Sequence, residues 1–268
     1  MKQRYIASVS FGKDSLAMLL MLIEKEYPLD EVVFYDTGME FQAIYNIRDK
    51  VKLLLQSQGI QFTQLEPEKS FEYKMYEHPV CKRGTKIIHK YGYSWCGGTC
   101  RWGTTEKLQA LEKYCKGHYE YVGIAVDEPK RLEKERNGNK VFPLAEWNMT
   151  EKDCLCYCHE NGWDWIEKDI DLYEILDRVS CWCCRNKNLK ELKGMYLHLP
   201  EYWQRLKNMQ NRLPEPMKGK YSVSELEKRF DFEMQQEEQG LSIKDRKFYK
   251  ALEDYLKGDL LEKNQNYC

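Results

Sequence analysis

A chain of 268 residues can bury a full core and has room for one large domain plus an appendage. Its 42 basic and 43 acidic side chains exclude a globally basic nucleic-acid footprint, though not a local patch. No apolar run approaches the roughly 18–20 residues that span a bilayer, and the opening MKQRYIASVS lacks the apolar core of a signal peptide, so a cytoplasmic protein with no membrane partner is expected.

The first strand is expected at Tyr5–Ser10, a β-branched and apolar run that ends in a glycine-containing loop. Ser15–Lys25 has the length and apolar content of a buried helix. Glu31–Tyr35 reads as a second strand, ending in Asp36-Thr37-Gly38. Phe41–Gln58 places Ile44, Ile47, Val51, Leu54 and Leu55 at helical spacing, with Gly59 as a stop. Ile60–Leu65 is a third strand. Alternation of this kind predicts an α/β fold with a doubly wound parallel sheet, whose ligands lie beyond the carboxyl ends of the strands.

Glu66–Tyr93 is polar and aromatic, without a clear period, and is a place for substrate contacts. A helix from about Thr104 to Lys116, a strand at Tyr119–Val126, a capped helix from Thr150 to about Asn161 and a short helix at Asp171–Val179 follow. Beyond Pro200 long polar helices take over, broken by the proline-rich Arg212–Lys220. The expected division is therefore a nucleotide-binding domain at 1–198 and a helical region at 199–268.

Ser10-Phe11-Gly12-Lys13-Asp14-Ser15 joins a strand to a helix. Free backbone N–H groups at a helix start favour an anion, Gly12 allows close approach, Lys13 supplies a cation and the serines add donors. The GxxxxGK[ST] spacing of the Walker loop is absent. The loop resembles the SxGxDS pyrophosphate loop of the PP-loop ATP pyrophosphatase superfamily, and within it the phosphoadenosine-phosphosulfate (PAPS) reductase family. Three later segments resemble that family in the same order. They are Asp36-Thr37-Gly38, then Gly123-Ile124-Ala125-Val126-Asp127-Glu128-Pro129-Lys130-Arg131, and then Phe142–Thr150, which is similar to a Pro-Ile-x-x-Trp-x-x-x-(acidic) segment.

The resemblance implies an adenine nucleotide held by Ser8, Ser10, Phe11, Gly12, Lys13, Asp14, Ser15, Asp36, Thr37, Gly38, Gly123 and Arg131, with Lys13 and Asp14 catalytic. Two departures separate the chain from the reductases. Ala125 stands where they carry arginine, and their C-terminal Glu-Cys-Gly-(Leu/Ile)-His segment is missing, although the chain ends in Cys268. An intact Lys13-Asp14-Ser15 end suits a triphosphate, whose roughly three to four negative charges need donors, lysine and Mg²⁺. Asp14 or Asp36 could hold that Mg²⁺, or simply cap a helix or close a turn.

Eleven cysteines in a reducing compartment argue against a disulfide framework. Cys96 and Cys100 form one cluster; Cys181 and Cys184 form another, with Cys183 as an alternative ligand. Eighty residues lie between Cys100 and Cys181. Two pairs so spaced can bring four thiolates to an iron–sulfur or a zinc site, and spacing alone does not choose. The resemblance to cluster-bearing reductases and to the sulfur-inserting enzymes of DNA phosphorothioation implies a [4Fe–4S] cluster. Cys154 and Cys158 share a helical face while Cys156 lies opposite, which suits core packing. Cys81 and Cys115 are isolated and suit core packing as well, while the histidines His89, His118 and His159 receive no role. Arg101, Arg185, Lys187 and Lys190, with Trp95, Trp102 and Trp182, read as either a solvated run or a basic and aromatic surface for nucleic acid.

Three functions are expected to compete. The first is ATP-dependent adenylation coupled to sulfur transfer, with a sulfur or electron donor protein. The second is a sulfonucleotide reductase acting on PAPS or adenylyl sulfate and releasing sulfite. The third is a non-catalytic nucleotide-binding or redox-sensing module.

Overall fold

The computed structural model describes residues 3–96, 98–135 and 138–265. Cys268, whose role the sequence leaves open, lies outside them. The chain divides into two compact units, 1–186 and 187–268.

The first unit begins with β1 (Tyr5–Val9), α1 (Lys13–Glu24), β2 (Glu31–Tyr35), α2 (Gln42–Ser57) and β3 (Gln61–Leu65). It continues through α3 (Phe71–Tyr76) and a hairpin of β4 (Pro79–Cys81) and β5 (Ile88–Tyr91) to a π-helical turn at Arg101–Glu106 that runs into α4 (Lys107–Cys115). Then come β6 (Tyr119–Val122), α5 (Pro129–Glu135), β7 (Lys140–Val141), α6 (Pro143–Glu146), α7 (Glu151–Glu160), the short pair β8 (Ile166–Glu167) and β9 (Ile170–Asp171), and α8 (Leu172–Ile175).

The sheet has the order β3-β2-β1-β6-β7 with every pair parallel, as the α/β alternation implies. Helix α1 is almost wholly apolar from Leu16 to Leu22 because it lies inside the fold. It packs chiefly against α7, where Cys154 and Cys158 are fully buried and Cys156 is exposed. Leu111 and Cys115 of α4 pack with Ile6, Val33 and Tyr35. Helix α7 opens with a capping box in which the Thr150 side chain accepts from Asp153 and Asp153 accepts in return.

Two elements are shorter than their sequence suggests. The strand expected to reach Val126 stops at Val122, since Gly123 turns against the start of α1. The helix expected over Asp171–Val179 covers only Leu172–Ile175.

The second unit packs α9 (Leu189–His198), α10 (Pro200–Gln210), α11 (Val223–Glu238) and α12 (Arg246–Gln265) in succession. Its division point precedes α9, whereas the sequence suggests one after it. Among the described residues no helix is long and apolar enough to cross a membrane.

Candidate nucleotide and cysteine site

The loop after β1 is held in a conformation that its own residues do not favour. Phe11 has φ near 60°, a strained value for a bulky side chain. Its ring is fully buried 5.0 Å from that of Phe34, and its carbonyl accepts a 2.7 Å bond from the Trp165 indole. With its ring buried, Phe11 presents only its backbone at the loop surface. Gly12 caps α1, and a Cβ there would meet the Tyr173 hydroxyl at 3.4 Å. Ser15 Oγ closes the loop, accepting from Ser10 N–H at 3.1 Å and donating to the Gly12 carbonyl at 3.1 Å.

Lys13 is buried, with Nζ 2.6 Å from Glu151 and 3.4 Å from Asp14. Its backbone N–H donates to Tyr173 Oη at 2.8 Å. Beneath the loop the Cys158 thiol reaches the Lys13 carbonyl at 3.6 Å. Burial pushes the Asp14 carboxyl up to about 6, against the lowering pull of Lys13. Asp14 Oδ1 is buried without a hydrogen-bond partner among the described residues. Glu151 is lowered despite partial burial, by the hydrogen bond and charge of Lys13 and then by Arg178 and Arg131. Glu128 joins this cluster, accepting from Arg131 at 2.5 Å and Arg178 at 2.8 Å.

Gly123 lies so near the loop that a Cβ would stand 2.8 Å from Ser15 Cα and 3.0 Å from the Asp14 carbonyl. Ala125 is fully buried, leaving no room there for the arginine of the reductases. A cavity of about 1040 Å³ opens beside the loop, walled by Ser8, Ser10, Ser15 and Gly123 on one side and by α4 and Arg131 on the other. That volume accommodates a nucleotide. Ser8 donates to Glu120 at 2.6 Å on the same wall.

Asp36 closes its own turn: Oδ1 accepts from Gly38 N–H at 2.8 Å and from Tyr45 Oη at 2.9 Å. Thr37 Oγ1 donates to Glu40 at 2.9 Å and lies 3.4 Å from Cys181 Sγ. The Trp182 N–H donates to the Met39 carbonyl at 3.0 Å. The turn holding the second cysteine pair is thus docked on the segment that follows β2.

The two cysteine pairs flank this place, although among the described residues no three of the Cys96, Cys100, Cys181 and Cys184 sulfurs lie within 4.8 Å of one another. The thiols of Cys96 and Cys100 interact with each other, and the sulfurs of Cys100 and Cys181 both lie against Gly103. Cys96 Sγ accepts from the Arg101 N–H at 3.4 Å and Cys100 Sγ from the Gly103 N–H at 3.3 Å. The bond from Cys100, with lesser help from Arg101 and Arg185, pulls Cys96 down to about 6; Cys100 moves up in response, and burial raises Cys181. Cys183 is buried, whereas Cys184 keeps partial exposure. A Cβ on Gly103 would face two sulfurs, at 3.4 Å from Cys100 and 3.8 Å from Cys181.

Other expectations fare differently. Trp95, Trp102, Trp182 and Lys187 are buried and Arg185 donates to the Trp95 carbonyl at 3.2 Å, whereas Arg101 and Lys190 are exposed. Cys81 is exposed and not packed in a core. His159, given no role, lies 3.1 Å from Asp171. Glu151, Tyr173 and Trp165 also reach the loop, beyond the residues expected there. Glu151 was within reach, as the acidic residue four positions after Trp147. Tyr173 and Trp165 carry no local signal, because only the tertiary fold brings them to the loop.

The family model of the phosphoadenosine phosphosulfate reductase domain matches residues 4–165. An uncharacterized protein of Methanocaldococcus jannaschii is 25% identical over 228 residues, covering 78% of this chain and 42% of that protein. Adenosine 5'-phosphosulfate reductase 2 of Bacillus subtilis is 27% identical over 161 residues, covering 56% of this chain and 61% of that enzyme. The chain therefore spans less than two thirds of either relative. The loop, the Gly123 approach and the carboxylate that grips Lys13 all fall within the matched span, and the chain belongs to the phosphoadenosine phosphosulfate reductase family.

Proposed function

We propose that this protein is an ATP-dependent enzyme that adenylates an acceptor oxygen and assists its replacement by sulfur, with a metal group on Cys96, Cys100, Cys181 and Cys184. The observation that carries the reading is Lys13, buried at the helix start 2.6 Å from Glu151 although no sulfonucleotide needs a cation for a β,γ-pyrophosphate. In the reaction the acceptor oxygen bonds to the α-phosphorus, and the bond to pyrophosphate breaks. A sulfur nucleophile then bonds to the acceptor atom while its bond to the adenylate oxygen breaks, releasing AMP. Lys13, turned from Glu151, meets the β,γ-phosphates, and the loop N–H groups hold the departing charge. Asp14, whose Oδ1 accepts no hydrogen bond, would hold Mg²⁺, which neutralises phosphate charge.

The chemistry of the cysteine pocket suits a thiolate-ligated group, whose binding would have to draw the four sulfurs closer together. Backbone N–H groups already reach two of its sulfurs, and Gly103 leaves the space before two of them clear. The indole N–H groups of the neighbouring Trp95 and Trp102 are buried without hydrogen-bond partners among the described residues. Such donors stabilise sulfur-rich, anionic clusters. A [4Fe–4S] cluster supplies an electron store or an iron site for sulfur when bound; zinc would supply structure alone. Thr37 and Met39, which contact the turn of Cys181 and Trp182, would keep such a group beside the segment after β2.

The relative that reduces adenosine 5'-phosphosulfate favours a second reading, sulfonucleotide reduction to sulfite. Calorimetry with anaerobically purified protein separates the two. Mg²⁺-ATP is expected to bind at least about tenfold more tightly than PAPS or adenylyl sulfate, with that preference lost in Lys13→Ala. Tighter sulfonucleotide binding accompanied by sulfite release would establish the reductase instead. Iron and sulfide analysis tests the cluster, and a colourless protein containing zinc would remove it.

A further inference from the structure

The chain as a whole is balanced in charge, yet between Glu77 and Glu106 it carries five basic residues and not one acidic residue. Four of the five, Lys82, Arg83, Lys86 and Lys90, lie on the β4–β5 hairpin. Every residue from 81 to 91 is exposed. The apolar side chains there share that exposure, with Ile87 at 62% and Tyr91 at 68%. Water gives no reason to display an aromatic ring among four cations on a two-stranded hairpin, which is marginal in isolation. A polyanion with flat apolar faces does give one.

The hairpin is fixed at its root. Gly92 N–H donates to the His78 carbonyl at 2.8 Å, Tyr93 N–H to the Lys74 carbonyl at 3.0 Å and Ser94 N–H to the Met75 carbonyl at 3.0 Å. Gly92 has φ near 71°, and a Cβ there would overlap the backbone of Met75 and Tyr76. Tyr93 then stacks on His78 at 4.8 Å and carries the Arg101 guanidinium at 4.7 Å. Arg101 itself follows Cys100. A strand lying along the hairpin would be led toward the cysteine pocket.

We infer that the β4–β5 hairpin is a docking surface for a single-stranded nucleic-acid segment, its cations pairing with phosphodiesters and Tyr91 stacking on a base. The inference goes beyond adenylation, and it rests on that reading only in offering a class for the acceptor. Oligonucleotide binding needs neither ATP nor metal, so the two can fail separately.

The test is fluorescence anisotropy of the full chain with labelled 20-nucleotide single strands of mixed sequence, RNA in one arm and DNA in the other, between about 50 and 200 mM salt. Wild type is expected to bind with a log–log salt slope near −3, for about four phosphate contacts at ~0.7 each. The triple variant Lys82→Glu/Arg83→Glu/Lys86→Glu should lose at least about tenfold in affinity and flatten that slope. Tyr91→Ala should weaken binding several-fold, while Tyr91→Phe keeps it. The milder triple Lys82→Gln/Arg83→Gln/Lys86→Gln, with circular dichroism matched to wild type, answers any concern that charge reversal unfolds the hairpin. The tighter arm names the source as RNA or DNA. Absence of binding to both strands at 50 mM salt, equal binding by the glutamine triple, or binding only to phosphatidylserine vesicles would each overturn the inference.

Discussion

Asp14 holds a carboxylate where burial opposes its charge. Its carboxyl is raised to about 6 from an ordinary value near 3.8, and one oxygen lacks a hydrogen bond. Because the folded state binds this proton more tightly than the unfolded state, stability falls as pH rises through the window from about 4 to 6. Above about 6 the ionised group destabilises the ligand-free protein by an amount on the order of 3 kcal/mol. Asp14→Asn should therefore raise the melting temperature at pH 7.5 by several degrees, an advantage that shrinks toward pH 4, while Mg²⁺-ATP binding is lost. Scanning calorimetry at both pH values checks the first half; an unchanged or lowered Tm at pH 7.5 contradicts it. The loop's residue types were legible in the sequence because its chemistry is local. The strain at Phe11 and the grip of Glu151 on Lys13 were not, since Trp165, Tyr173 and Glu151 come from distant parts of the chain.

Among the elements, α1 and β6 meet through a single glycine. Backbone atoms of Asp14 and Ser15 occupy the space that a Gly123 side chain would need, and backbone cannot swing aside as a flexible side chain can. Gly123→Ala is expected to cost about 1–3 kcal/mol in denaturant unfolding and to weaken nucleotide binding, because the loop must shift. Wild-type stability together with wild-type affinity would show that the approach is looser than described. Gly103 poses the opposite case. A Cβ there makes only ordinary contacts with Cys100 and Cys181 sulfurs, so the metal-free fold should accept alanine. If that space serves a cluster, Gly103→Ala keeps its Tm as apoprotein but retains less iron after anaerobic reconstitution. Full iron content in this variant would move the group away from Gly103. The π-helical turn that positions Gly103 escapes sequence reading, because its wide winding follows from the contacts of Cys100 and not from periodicity.

For the molecule as a whole, the order of the parallel sheet follows from alternating short strands and helices, and the sequence carries that alternation openly. What it does not carry is the joining of two sites. Thr37 belongs to the segment after β2 at the nucleotide end of the sheet, yet its hydroxyl lies beside Cys181, and Met39 anchors Trp182 in the same cysteine turn. One short segment therefore contacts both, and any ligand that orders it from one side lowers the cost of ordering it from the other. Coupling of this kind is reciprocal. Metal-loaded protein should bind ATP more tightly than metal-free protein, and ATP should slow metal loss to a chelator by a matching factor. Couplings of 1–3 kcal/mol correspond to roughly 5–150-fold. Thr37→Val removes the hydroxyl at nearly constant shape and should shrink both effects together. Calorimetric ATP titrations of the two forms, paired with chelator-release rates, measure them. Equal ATP affinity with and without metal would mean that the cysteine turn and the nucleotide segment share an address but not a free energy.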